Sequence, residues 1–305
     1  MATRPPNCGS LPNSAVVRIE KLSKGYKGRP ALIDLSLIIE RGEIFGLLGH
    51  NGAGKSTTFG CMLGHLYPDQ GEVFIDGHSV QKHRSEAMQR VGAIFETPAF
   101  YEYMTGWQNL RFLVSLSRLE EDARLREVVE LVGLTPRIND PVRNYSHGMR
   151  QRLALAQALL PRPEFIILDE PTEGLDPQGI HEMRDMIRRL RDEHGLTVML
   201  SSHLLSEVEQ LCDRVAILHQ GRLVFCGVWQ TPEQQWLLDL DDWGKAQPVF
   251  DRLEATVRPD RRIVLNGPAE MADVIAGLVG AGIRVREAAL HKVTLENFYL
   301  EHIKP

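Results

Sequence analysis

Residues 46–58 read GLLGHNGAGKSTT. An apolar approach runs into a turn carrying Gly49, Gly52 and Gly54, and a lysine and three hydroxyl residues follow at once. The approach, Glu43 to Leu48, is short and continuously apolar after its first residue, as in a strand buried on both faces of a parallel sheet. The turn fits G-x-x-x-x-G-K-S from Gly49 to Ser56. Glycines let the backbone curl until successive N–H groups face one anion, and a helix starting near Lys55 adds its positive end. The backbone of Gly49, Asn51, Gly52, Ala53 and Gly54 would hold the phosphates, with Lys55, Ser56 and Thr57 opening the helix. Lys55 reaches the β- and γ-phosphates, and the Ser56 hydroxyl is placed for magnesium. The alternative is a glycine-rich turn beside a surface lysine. It does not account for strand, loop and helix arriving in that order. By itself the motif says only that a nucleoside triphosphate binds.

A second buried strand, FIILDE (165–170), ends in two carboxylates. Asp169 fits a magnesium partner, directly or through water. Glu170 would orient or deprotonate the attacking water. Upstream, YSHGMRQRLALAQALL (145–160) opens with Ser-x-Gly, a helix start whose hydroxyl and N–H groups suit a phosphate.

The ordered set Lys55-Ser56, Ser146-His147-Gly148, Asp169-Glu170, GLDP (174–177) and SSH (201–203) closely resembles the nucleotide-binding subunit of ABC transporters. The likeness covers about residues 15–230. It implies an α/β P-loop NTPase fold with an antiparallel β flank, a helical insertion at about 97–150 and a small C-terminal α+β domain. It also implies ATP and magnesium as cofactors. Residue by residue, Tyr26 matches the aromatic that stacks on adenine, although a surface strand tyrosine would look the same. Asp176 matches the loop that communicates between two subunits, and His203 the switch histidine at the γ-phosphate. Ser146 and Gly148 would face the ATP of a second copy. Catalysis would then fall to Glu170, His203 and Lys55, with the metal held by Ser56, Asp169 and Glu96.

The chain also departs from the family's commonest pattern. After the strand VGAIF (91–95) stands Glu96, where glutamine is usual. A carboxylate still ligates a cation, but adds negative charge beside Asp169 and Glu170. Glu96 followed by TPAFY resembles the branch exporting lantibiotics and bacitracin-like peptides. His147 replaces a glycine and His50 a common proline.

The organisation follows the same likeness. Residues 1–14, rich in Pro, Ser and Asn and without an apolar core, read as a disordered lead-in and not a secretory signal. The main domain spans 15–228, with AVVRIE and LSLIIE as strands of the flank. Helical spacing of Leu110, Leu113, Val114 and Ser117, and of Leu125, Val128, Val129 and Val132, marks the insertion. Phe100, Tyr101, Tyr103 and Trp107 form an aromatic cluster that suits either a core or the groove receiving a membrane subunit. Residues 229–305 form an accessory domain: VWQTPEQQ is a linker with a helix start, then strand RIVLN, a helix over 271–278, strand IRVREAA and helix TLENFYLEHI. Similar tails end many exporter ATPases of the antibiotic-resistance type.

Of 305 residues, 43% are hydrophobic, enough for a packed core, and the net charge of −5 gives no basic field for nucleic acid. Cys61 and Cys212 sit among apolar residues and read as buried reduced thiols. No run reaches the roughly 20 apolar residues of a membrane span. The resemblance implies as partners a separate permease and a second copy of the chain, at the cytoplasmic face of the membrane. The competing readings are a soluble ABC ATPase acting on DNA or ribosomes, and a P-loop kinase outside the family.

Overall fold

A computed structural model describes residues 15–95, 99–117, 122–228, 235–258, 261–266, 269–291 and 295–302. The chain falls into two compact units, the first running through residue 229 and the second from 230 to 301.

In the first unit β1 (Ala15–Tyr26) pairs antiparallel with β2 (Arg29–Glu40), forming the expected flank. Then come β3 (Ile44–Leu48), α1 (Lys55–Met62), β4 (Gln70–Ile75), β5 (His78–Ser79), α2 (Arg84–Met88) and β6 (Val91–Ile94). The insertion carries α3 (Gly106–Ser117), α4 (Asp122–Leu131) and α5 (His147–Leu159). The core resumes with β7 (Phe165–Asp169), α6 (Pro177–His194), β8 (Thr197–Ser201), α7 (Leu205–Leu211), β9 (Arg214–His219) and β10 (Arg222–Val228).

The flank sheet has the order β2-β1-β4-β5 and the central sheet β10-β9-β3-β8-β7-β6. In the central sheet β3 lies parallel between β8 and β9, and β7 parallel between β8 and β6. All five residues of β3 and of β8 are buried, as expected of strands covered on both faces. One apolar core joins the two sheets through α1: Phe59, Cys61 and Met62 pack with Val17, Ile19 and Leu35 of the flank and Phe45, Leu47 and Met199 of the central sheet. The phosphate-loop helix is thereby fixed to both sheets. Cys61 and Cys212 are free thiols, and burial pushes the Cys61 thiol up to about 11.

The parallel arrangement sets where chemistry can occur. The chain leaves β3, β7 and β8 at the same edge of the sheet, so residues 49–56, 169–170 and 201–203 gather there. On the insertion, Tyr101 and Tyr103 are exposed and Phe100 and Trp107 half-buried, so the tyrosines are not core. The Tyr101 ring lies 5.9 Å from Tyr103 and edge-on to Phe112 at 5.5 Å. Buried Asn109 anchors this surface, accepting from the Tyr101 N–H and donating to its carbonyl.

The second unit holds β11 (Gln235–Leu240), α8 (Trp243–Arg252), β12 (Ala255–Val257), β13 (Arg262–Leu265), α9 (Met271–Gly280), β14 (Val285–His291) and α10 (Leu295–His302), with strand order β12-β13-β11-β14. Its core gathers Leu238, Leu240, Phe250, Ile263, Val274 and Leu278. Two expectations are corrected here. The stretch read as a linker with a helix start leads into strand β11, because Leu238 and Leu240 alternate into the core beside β13 and β14. The helix α8 and the strand β12 were not anticipated; Pro248 inside α8 obscures a helical pattern that buries Ala246, Val249 and Phe250.

Candidate active site

The loop from Gly49 to Gly54 leaves buried β3 and re-enters at α1. Gly54, which caps α1, takes φ 113°, and a Cβ there would stand 2.7 Å from the Ala31 carbonyl. Only glycine fits that turn. No side chain caps α1, so its first N–H groups stay with the loop's concave side. Lys55 is buried and its Nζ donates to the Gly49 carbonyl at 2.7 Å, folding across the loop's mouth. Asn51, Gly52 and Ser56 are exposed, Ala53 is buried and Thr57 is half-buried. The expected cradle residues lie in this loop and the first turn of α1. Tyr26 is exposed at the end of β1, with the Lys24 ammonium 5.7 Å from its ring centroid. Asp69 positions this corner, accepting from Lys24 Nζ at 2.9 Å and from the Gly25 N–H at 2.7 Å.

At the ends of β7 and β8 the register pairs Asp169 with Ser201. The Ser201 hydroxyl donates to Asp169 Oδ1 at 2.6 Å and accepts from the Glu170 N–H at 3.0 Å. Glu170 is held at φ 48°, a left-handed conformation costly for a side chain larger than glycine's. Its Oε2 stands 2.7 Å from His203 Nδ1. The expected pair of Glu170 and His203 is thus in direct contact. Burial raises the Asp169 carboxyl above its usual range, and the Glu170 charge adds to that, while the Ser201 hydrogen bond and Lys55 oppose it. A raised carboxyl contributes stability that is lost as pH rises through its folded value, so at neutral pH ionised Asp169 weakens the ligand-free fold. Asp169→Asn keeps an acceptor for Ser201 and removes the charge. Its melting temperature at pH 7, read by calorimetry, is expected to rise on the order of 1–3 °C, since the site is only partly buried. A fall would show that the charge is already compensated by its neighbours.

Ser146 and Gly148 stand at the N-terminal end of α5, the insertion's last helix. Ser146 caps α5, accepting from the Met149 N–H at 3.2 Å. Asp176 caps α6 in the same way, accepting from the Gly179 N–H at 2.8 Å. Ser146, Gly148 and Asp176 together line an open cleft of about 560 Å³. Glu96 lies outside the described residues. No group of three or more potential metal-ligating side chains is found among the described residues.

Two supporting residues escaped the sequence reading. The sequence offers Ser201 only within SSH (201–203), and its role depends on its register with Asp169. Glu207, buried on α7, accepts from the Thr172 hydroxyl and, at 3.4 Å, from the Ser202 hydroxyl. It ties the loop after Glu170 to the segment before His203. An acidic residue on the apolar side of a helix, four residues after the switch histidine, was the available signal.

Comparison with known proteins places the chain in a family. The ABC transporter family profile matches residues 32–173. The bacitracin transport ATP-binding protein BcrA of Bacillus licheniformis is 42% identical over 299 residues, 95% of this chain and 98% of that protein. The ABC transporter ATP-binding protein YhcH of Bacillus subtilis is 39% identical, over 94% of this chain and 95% of the relative. A solved ATP-binding subunit of an ABC transporter superposes with a TM-score of 0.63 at 26% identity, covering 87% of this chain and 99% of that structure. The chain belongs to the ABC transporter ATP-binding family: it is a nucleotide-binding ATPase subunit of a transporter. Among its described residues no helix is long and apolar enough to cross a membrane.

Proposed function

We propose that the chain powers export of a drug or antimicrobial peptide through a separate permease, as two copies that clasp two ATP molecules between them. The observation that carries this reading is that the cleft lined by Ser146, Gly148 and Asp176 includes none of the cradle residues, nor Glu170 or His203. Cradle, Glu170 and His203 share one sheet edge, whereas Ser146 and Gly148 line a different cleft with Asp176. A second copy, turned head to tail, would bring that cleft onto the first copy's phosphates.

In that arrangement the loop 49–54 and the α1 N-terminus bind the phosphates, and Lys55 offsets their developing charge. Tyr26 stacks on the base. Glu170 accepts a proton from the attacking water, with His203 fixing the carboxylate's orientation. Asp169 and Ser56 are hard oxygen donors, and a half-buried carboxylate raised by its surroundings fits a cation. They would hold magnesium, with Glu96 as a further ligand; the ion would supply charge neutralisation at the phosphates. ATP gives the closed pair its differential affinity, and hydrolysis removes it. The exposed aromatic surface of Tyr101, Tyr103 and Phe112 is the docking place for the permease, since aromatics enrich interface cores. Residues 229–305 form a separate accessory domain for dimer contact or regulation. The work site is then the cytoplasmic face of the membrane.

The peptide or drug class rests on the likeness to a bacitracin transport protein over nearly the whole chain. Affinity purification of the full chain from its native cell tests the reading. Recovery from the membrane fraction with a multi-span protein lacking its own ATPase domain is expected. Recovery with ribosomes or DNA, and no membrane protein, would overturn it.

A further inference from the structure

We infer that His147 is a positioning residue: its imidazole clamps the Ser146–Gly148 corner to the loop that starts at Glu170, so that both reach a second copy as one preformed surface. The inference rests on the two-copy reading above.

Three observations carry it. His147 Nε2 stands 2.8 Å from the Glu173 carbonyl, a contact between groups 26 residues apart. A carbonyl only accepts, so Nε2 carries the proton and donates. The ring also lies over Gly174, which takes φ 72°. A Cβ at Gly174 would stand 3.2 Å from Nε2 and 3.4 Å from Cδ2 of the imidazole. Gly174 is therefore required both by its left-handed backbone and by the ring packed on it. Third, the clamped groups are those that face outward. His147 follows the cap residue Ser146 and precedes Gly148, and Glu173 and Gly174 lead to Asp176. All but Glu173 line the same cleft.

A glycine at 147, as in the commoner pattern, has no side chain to make this bond. The two strips would then be joined by the Arg152–Glu182 ion pair and by Leu175 beside Gly148, with no bond from position 147 to the Glu173 carbonyl. Their relative position would have to be fixed during closure, at a cost in ordering that a preformed surface avoids. Because neutral Nε2–H imidazole and imidazolium both donate at Nε2, the clamp does not depend on the ring's charge. Nucleotide binding within one copy uses the loop 49–54 and Lys55, which His147 does not bond, so it should not sense the clamp.

The test compares His147→Gly and His147→Gln in the full chain carrying Glu170→Gln, by sedimentation with ATP and magnesium across protein concentration. The glutamine amide places an N–H about as far from Cα as Nε2. Expected is a dimer dissociation constant raised about tenfold or more by His147→Gly, two clamps being lost per pair, and restored to within threefold by His147→Gln. Binding of ATP by the single chain should change by less than twofold, and the melting temperature should fall by about 2–4 °C, the loss of one hydrogen bond. Equal dimerisation of His147→Gly and the parent, or equal weakening by His147→Gln, would overturn the clamp alone. A Glu170→Gln parent that never pairs with ATP would overturn the two-copy reading, and the clamp with it.

Discussion

Glu170→Gln is expected to slow steady-state ATP hydrolysis by about 10²–10⁴-fold while ATP binding stays near the parent value. The geometry argues for so clean a separation. The Glu170 backbone is pinned in its left-handed conformation by the Ser201 hydroxyl, and its carboxylate is bonded to His203. Glutamine is nearly isosteric and its carbonyl still accepts from His203, so the local fold persists. It cannot take a proton from water. The phosphate cradle belongs to another loop, closed by the bond from Lys55 to Gly49, and is untouched. Turnover and nucleotide affinity, measured on one preparation, check this. Turnover like the parent's would remove Glu170 from the chemistry.

Ser146→Arg is expected to abolish hydrolysis without weakening ATP binding by the single chain. The arginine places a long cation where the small hydroxyl now caps α5 and borders the open cleft. Loss of the cap costs about 1 kcal/mol, too little to unfold the unit. The larger effect is steric: the side chain fills the surface that a second copy's nucleotide must approach. Equilibrium binding of a fluorescent ATP analogue at low protein concentration, beside the hydrolysis rate, separates the cases. Weakened single-chain binding would place Ser146 at its own copy's nucleotide and end the two-copy account.

The features legible in the sequence are those in which chemistry and chain order coincide. The apolar run 44–48 and the glycines after it are contiguous, so strand, loop and helix could be read together. Asp169 and Glu170 were legible because they end a strand. Ser201 was not: its bonds to Asp169 and Glu170 exist only because β7 and β8 are neighbours in one register. Glu207 and the contact between His147 and Glu173 escaped for the same reason, being set by packing between segments distant in sequence. In the second unit the polar stretch around 230–235 hid the alternation of Leu238 and Leu240, and Pro248 hid α8. The aromatic cluster was ambiguous because composition does not tell a core from a surface; the exposure of Tyr101 and Tyr103 does.

The central claim is that ATP joins two copies, each completing the other's site. Sedimentation velocity on the Glu170→Gln chain with ATP and magnesium, at rising protein concentration, tests it most directly. The account predicts a pair that forms with ATP, dissolves when nucleotide is withdrawn and is absent when Ser146→Arg is added. A single copy at every concentration, unchanged when the membrane partner is supplied, would contradict it.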